Sequence, residues 1–366
     1  MRVLALILAL TALACADRDG EAPAAAEPEA PLSVYVVNYP LQYFAERIGG
    51  EQVAVTFPAP PGSDPAFWSP SGETVAAYQR ADVVLLNGAG YAKWVGRASL
   101  PRAGLVDSSA SFRDRWIPLT GSVSHTHGPE GAHAHRGWAF TTWLDPTLAA
   151  LQARAITDAF ARARPAHEAA FRGRFAALAE ALAALDSRLA AAAEALDGAP
   201  LLFSHPVYDY LIRRYELNAR SVHWEPDESP TPAMWRVLEE LLTTFPARCM
   251  LWEAEPLAET KERLLGLGVR SAVYAPLGDT PENGDFLSGM QENADRVEAI
   301  ARSPEATPVS SKQMPSPGGT TSLGKEPSSE GRGPGPPRSG VRQEAGVDRD
   351  PRLAHVGSSL DKGAPQ

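Results

Sequence analysis

Residues 32–302 alternate between short aliphatic or β-branched runs and segments with helical spacing of apolar residues, and this alternation constrains the fold most. In the first half, the strand-like runs are 33–37, 53–57 and 82–86, with helix-like segments between them. In the second half, the corresponding runs are 201–203, 219–222, 249–252 and 271–274. Strands that alternate with helices favour parallel sheets covered by helices. The sequence therefore predicts an α/β protein with two lobes, each a parallel sheet flanked by helices.

A long helical region separates the two halves. Asp145 and Pro146 form an N-cap followed by proline at the first helical position, which opens a helix towards residue 164. A second helix is predicted for residues 165–196, with apolar residues every three or four positions. These positions are Phe171, Phe175, Leu178, Leu182, Leu185 and Leu189. At about 1.5 Å per residue this helix would be about 45 Å long, enough to bridge both lobes.

The two ends of the chain differ in composition from the core. Residues 1–15 are a positive start and a short apolar run that ends at Cys15, which is typical of a signal peptide. This run resembles a bacterial lipoprotein signal in which Cys15 is acylated, although ordinary cleavage to a soluble periplasmic form is an alternative. Residues 16–31 form a tether rich in Ala, Pro and Glu, and residues 303–366 form a tail without aromatic residues. Both are predicted to be disordered. The predicted division is residues 1–15, 16–31, 32–145, 146–198, 199–302 and 303–366.

Charge and cysteine usage exclude some classes of protein. The formal net charge is −10 and no basic patch is evident, which argues against a nucleic-acid partner. Of the two cysteines, Cys15 belongs to the signal, so Cys249 has no disulfide partner in the mature chain. We expect an exported monomer that contacts the membrane through its lipid anchor only.

Four of the eight histidines lie in one loop, residues 124–136, among Gly, Ser, Ala and Pro. They are His125, His127, His133 and His135. Imidazole is the commonest transition-metal ligand, and a loop that offers several can wrap around an ion. The loop therefore predicts metal contact in the first lobe, although its spacing matches no rigid zinc motif and a solvated polar loop is the alternative.

Polar residues follow the predicted strands in both lobes. In open parallel sheets, ligands bind at the carboxyl ends of the strands. In the first lobe these residues are Asn38, Tyr39, residues 64–68, Asn87, Thr141 and Thr142. In the second lobe they are His205, His223, Glu225, Asp227, Glu228, Glu253 and Asp279. Two such edges facing each other predict a cleft, lined among others by Trp68, Thr141, Tyr208, Glu253 and Asp279.

Several segments occur in the order typical of one family. They are NYPLQYFAERIGG, VTFPAPPGSDPAFWSP, ADVVLLNGAGYAKWV, the His-rich loop, WLDPTLAALQARAI, FSHPVYDYLIRRYEL, and VYAPLGD followed by MQENADRV. In these segments the chain resembles the metal-binding solute-binding proteins of bacterial ABC transporters, of the zinc and manganese uptake type, over residues 32–301. The resemblance implies two α/β lobes joined by one long helix, a metal ion in the cleft between them, and delivery of that ion to a membrane permease.

The same resemblance implies a metal site that is not intact. The family's ligand positions fall on Ala66, Thr141, His205 and Ala275, and only His205 keeps a side chain of the family's type. A methyl group cannot coordinate a cation, and one imidazole falls short of the three or four ligands that zinc requires.

Three explanations follow from these departures. In the first, the site is relocated: His205 is joined by one to three loop histidines and by His223, Glu225 or Glu228, a set that suits Zn²⁺ and could accept Mn²⁺ or another divalent ion. In the second, an aromatic cleft binds a metal chelate or an organic ligand. Its members would be Trp68, Tyr91, Trp94, Trp138, Trp143, Tyr208 and Trp224. In the third, the protein is a metal-free scaffold or adhesin-like protein.

The individual residues also have simpler interpretations. His205 could be a buried histidine bonded to the backbone, His223 a turn residue, and the nearby carboxylates helix-capping groups. Catalysis is not expected, because the chain has no HExxH motif, no GxSxG elbow and no phosphate-binding loop. The sequence thus predicts a non-enzymatic solute-binding component of a zinc-type ABC importer with a permease partner and a non-standard site.

Overall fold

The computed structural model describes residues 29–119 and 137–302, together with the backbone of residues 124–126 and 132–134. The first lobe contains the strands β1 (Leu32–Val36), β2 (Val53–Thr56), β3 (Val83–Leu86) and β4 (Leu105–Asp107), and the helices α1 (Tyr39–Gly49) and α2 (Gly72–Arg80). All four strands are parallel, in the order β2-β1-β3-β4. The predicted strands of this lobe are confirmed, whereas β4 has no counterpart in the sequence prediction.

Two short antiparallel strands lie within the His-rich loop, namely β5 (Ser124–Thr126) and β6 (Ala132–Ala134). The long helical region then follows as α3 (Pro146–Ala163) and α4 (Glu168–Glu194). Asp145 caps α3, because its Oδ1 accepts a hydrogen bond of 2.9 Å from the Thr147 backbone N–H. Residues 165–167 form a 3₁₀ turn instead of the predicted first turn of α4, since Pro165 lacks the N–H that a helix continuing from α3 would need.

The second lobe repeats the parallel arrangement. Its strands are β7 (Leu201–Phe203), β8 (Ala219–Ser221), β9 (Cys249–Trp252) and β10 (Arg270–Val273), and its helices are α5 (Asp209–Arg214), α6 (Pro232–Thr244), α7 (Ala258–Gly266) and α8 (Phe286–Ala301). The strand order is β10-β9-β7-β8, and all pairs are parallel. This lobe confirms the predicted α/β class. Cys249 is buried in β9, and this burial raises the pKa of its thiol to about 12.

Helix α4 joins the hydrophobic interiors of both lobes. Its buried stripe is Phe171, Leu178, Leu182, Leu185 and Leu189, whereas the predicted Phe175 is only partly buried. This stripe belongs to one continuous core that includes Val34 of the first sheet and Leu251 of the second. Of the described residues, no helix is both long and apolar enough to cross a membrane.

A segment of the second lobe, residues 276–279, is hydrogen-bonded directly to the first lobe. The Trp143 indole Nε1–H donates to the Pro276 carbonyl at 2.7 Å. The Tyr39 backbone N–H donates to the Gly278 carbonyl at 3.1 Å. The carboxylate of Asp279 accepts the Gly62 backbone N–H at 2.8 Å. The lobes are therefore joined by polar contacts as well as by the shared core.

Buried amides tie the carboxyl edge of the first sheet together. Asn87, after β3, accepts hydrogen bonds from the side chains of Gln152 at 3.1 Å and Asn38 at 3.3 Å, and donates to the Phe140 carbonyl at 2.8 Å. Gln152 also donates to Ser108 at 2.9 Å. Asn38 and Asn87, predicted to lie at a ligand-binding edge, thus hold the loops of that edge in place.

Candidate functional site

His205 lies in the loop that follows β7, with only 12% of its side chain exposed. Its Nδ1 lies 2.8 Å from Oε1 of Glu253, which directly follows β9. Its Nε2 lies 3.8 Å from Oε1 of Glu225, and its ring meets that of His223 edge-on with centroids 5.9 Å apart. Because β7, β8 and β9 are parallel neighbours, the residues after their carboxyl ends converge. The predicted residues His205, His223, Glu225 and Glu253 are brought together in this way.

Two opposing influences act on the charge of His205. Burial disfavours the imidazolium and by itself would lower the pKa. Contact with Glu253, reinforced by the negative charges of Glu225 and Asp64, outweighs burial and raises the pKa of His205 above its ordinary value. In contrast, burial and the neighbouring His205 lower the pKa of His223. The two imidazoles thus have different affinities for a proton: the raised pKa of His205 favours its charged form, and the lowered pKa of His223 favours its neutral form.

Two carboxylates lie near the buried Tyr91 at the junction of the lobes. Burial raises the pKa of the Tyr91 phenol, and the charges of Asp64 and Asp279 raise it further. The Asp64 carboxylate accepts a hydrogen bond of 2.9 Å from the Ala66 backbone N–H, and the Asp279 carboxylate accepts one from the Gly62 backbone N–H. Since Asp64 also acts on His205, carboxylates from both lobes contribute to an electrostatic field that attracts cations.

The other three positions at which the resemblance implies a ligand, Ala66, Thr141 and Ala275, are buried or hydrogen-bonded. The Ala66 side chain is buried. Thr141 donates its hydroxyl to the Val207 carbonyl at 2.5 Å. The backbone of Ala275 is held by the Asn293 side chain, which accepts its N–H at 3.0 Å and donates to its carbonyl at 2.8 Å. Sequence reasoning missed Asn293, although a buried asparagine on the apolar face of α8 was an available signal.

Other predicted site residues lie elsewhere. Glu228 is exposed on the turn after Glu225, and Trp68 is partly buried. Tyr208 is completely buried and donates its hydroxyl to the Tyr274 carbonyl at 2.7 Å, so it belongs to the core and not to the lining of an open cleft. This corrects the predicted lining.

The predicted aromatic cleft differs from the structure in the same respect. Tyr91, Trp94, Trp143 and Trp224 are also buried in the hydrophobic interior. Burial of these rings removes most of the apolar surface that an organic ligand would need.

The base of the His-rich loop is hydrogen-bonded to helix α5 of the second lobe. The Leu119 N–H donates to the Gly137 carbonyl at 3.0 Å, which joins the two ends of the loop. The Tyr210 hydroxyl donates to the Ala139 carbonyl at 3.0 Å and accepts the Ile117 N–H at 3.3 Å. Because Tyr210 belongs to α5, it connects the base of the histidine loop to the second lobe.

The histidine side chains of this loop lie outside the described residues. This applies to His125, His127, His133 and His135. Within the part of the chain that the structure describes, no three His, Cys, Asp or Glu side chains are placed to hold a metal ion.

The two four-stranded parallel sheets and the long helix α4 between them give the two-lobed α/β fold of the solute-binding proteins. The chain belongs to the family of ZnuA, the periplasmic component A of the zinc-uptake complex, whose model matches residues 34–300. The family resemblance and the fold predicted from the sequence are therefore confirmed.

Two curated relatives show what this chain is similar to. It is 24% identical over 311 residues to the zinc-binding lipoprotein AdcA of Streptococcus pneumoniae, covering 80% of this chain and 58% of that protein. It is also 24% identical over 286 residues to the high-affinity zinc uptake system protein ZnuA of Bacillus subtilis, covering 73% and 86%. The chain thus spans about three fifths of the length of AdcA.

Solved structures agree on the fold. The metal-dependent lipoprotein YcdH of Bacillus subtilis superposes with a TM-score of 0.64 at 19% identity, covering 73% of this chain and 98% of that one. The Zn(II)-bound ZnuA-like domain of Streptococcus pneumoniae AdcA gives 0.64 at 20% identity, covering 74% and 99%. At these identities the likeness concerns the fold alone.

Proposed function

We propose that this protein captures Zn²⁺ outside the cytoplasm and delivers it to the permease of an ABC importer. Its family and the zinc-binding relatives support this function. The observation that carries the proposal is the position of His205, which lies between two carboxylates at the edge of the second sheet. The base of the loop with four histidines is hydrogen-bonded to the same lobe through Tyr210.

The proposed ligand set combines the cleft with the loop. Zn²⁺ accepts imidazole and carboxylate ligands in a tetrahedral arrangement, and His205 with Glu225 would supply one of each. Because the described residues fall short of a complete set, we assign the remaining ligands to the histidines of residues 124–136, with His223 and Glu228 as neighbouring donors. A harder ion such as Mn²⁺ would rely more on the carboxylates.

Removing the loop imidazoles tests this ligand set. We expect zinc titration of the metal-stripped protein to give sub-micromolar binding, and replacement of the four loop histidines by glutamine to weaken it at least about 10-fold. The matched control is His355→Gln in the tail, which should leave the affinity unchanged. If the wild-type protein shows no saturable zinc binding, the proposed function is overturned, and a scaffold or a chelate-binding protein is favoured. Equal affinity of the wild type and the loop variant would overturn the role of the loop.

Acylation of Cys15 is the proposed means of retention at the membrane. We expect the full chain to fractionate with membranes when it is expressed in a bacterium that processes lipoproteins, because covalently attached acyl chains partition into the bilayer. Cys15→Ser should move the protein to the soluble fraction, whereas Cys249→Ser, at a buried core position, should remain with the membrane. A soluble wild-type protein would show that ordinary signal cleavage occurs instead.

A further inference from the structure

We propose that Glu253 is a positioning residue for zinc capture, which fixes the proton of neutral His205 on Nδ1 and so directs Nε2 towards the metal ion. This inference rests on the proposed function. The carboxylate of Glu253 can only accept a hydrogen bond, and it lies 2.8 Å from Nδ1 of His205. A proton on that nitrogen would lie between the two groups, so this contact favours the tautomer protonated at Nδ1.

The backbone before each member of this pair belongs to two buried, paired strands. Phe203 of β7 and Leu251 of β9 are register partners, and both are completely buried. The Ser204 N–H continues the ladder with a hydrogen bond of 2.8 Å to the Leu251 carbonyl. Glu253 directly follows β9, and His205 follows β7 after one residue, Ser204, so the pairing of these strands helps to set the separation of the two side chains.

The second carboxylate lies on the other side of the ring. Glu225 is 3.8 Å from Nε2, and its side chain is more exposed than that of Glu253, at 36% against 28%. A neutral histidine binds a metal through one nitrogen while the other donates its proton to a neighbour, and that neighbour sets the tautomer. The two glutamates thus have different roles: Glu253 orients the imidazole, and Glu225 is on the side where the ion would bind.

The test uses two readouts on the full mature protein. The tautomer of His205 is determined by ¹⁵N NMR of metal-free protein at a pH where the ring is neutral, with His205→Gln used to assign the signals. Zinc affinity is measured by titration with Zn²⁺ itself. The variants are Glu253→Ala, Glu253→Gln and the control Glu255→Ala, a glutamate on the same turn that pairs with Lys261.

We expect His205 to carry its proton on Nδ1 in the wild type and in Glu255→Ala. In Glu253→Ala, the Nε2-protonated form should appear and zinc affinity should fall by about 10- to 100-fold. The amide oxygen of Glu253→Gln can still accept a hydrogen bond from Nδ1. This variant should therefore restore part of the Nδ1-protonated form and part of the zinc affinity.

An unchanged tautomer in Glu253→Ala would overturn the proposal, as would a changed tautomer with unchanged zinc affinity. Because the tautomer is read without metal, an Nδ1-protonated wild type that does not bind zinc would contradict the proposed function while leaving the effect of Glu253 on the tautomer visible.

Discussion

Replacing His205 by alanine is expected to weaken zinc binding by at least about 100-fold. Substitution of a residue that only hydrogen-bonds to a metal ligand typically weakens metal binding by about 10- to 100-fold. Of the four positions to which the family resemblance assigns ligands, His205 is the one with a metal-binding side chain, and its Nδ1 lies 2.8 Å from the Glu253 carboxylate. Competition against a zinc-chelating dye measures the affinity of the variant. An affinity within a few-fold of the wild type would show that zinc binds elsewhere in the chain.

The control for this substitution is His167→Ala. His167 lies at the turn between α3 and α4, where its ring is 6.3 Å from that of Phe171. We expect its removal to leave zinc affinity unchanged. Thermal melting of both metal-free variants separates loss of a ligand from loss of the fold, because His205→Ala should still melt cooperatively.

The second large effect is expected at Asn87, whose replacement by alanine should lower the free energy of unfolding by about 3–5 kcal/mol. The substitution would leave the amides of Gln152 and Asn38 and the carbonyl of Phe140 without this partner in the interior. Each buried polar group that loses its partner costs about 1–3 kcal/mol. Denaturant unfolding measures the change in the free energy of unfolding, and the melting temperature should fall by about 10 °C.

An exposed asparagine provides the matched control for Asn87. Asn218 donates one hydrogen bond of 2.9 Å to the Gly198 carbonyl, where water can replace it. Asn218→Ala should therefore cost less than about 1 kcal/mol. Similar losses for the two substitutions would contradict the structural role assigned to the buried amides.

The sequence predicted the elements whose periodicity is strong. Buried strands such as 201–203 and 249–252 stand out as apolar runs, and the Asp145-Pro146 cap marks the start of α3. The three residues of β4 are too few for alternation to be recognised. The exact start of α4 was missed because helical spacing continues through the 3₁₀ turn at residues 165–167.

The site was predicted in its residue types but not in its pairings. His205, His223, Glu225 and Glu253 could be recognised because each follows a strand. That Glu253, rather than Glu225, lies against Nδ1 depends on strand order and side-chain rotamers, which a single sequence does not contain. For the same reason, Tyr208 was taken for a cleft residue although its ring is buried beside Phe203.

The continuous core that passes through α4 has a mechanical consequence. The buried stripe of α4 and residues of both sheets belong to one core, and the segment at residues 276–279 adds direct hydrogen bonds between the lobes. Rotation of one lobe against the other would disrupt this packing, and the free energy of binding one ion would have to compensate for that loss. We therefore expect metal binding to rearrange the structure locally at the rim of the cleft while the two lobes keep their relative orientation. A transporter would then recognise this local change.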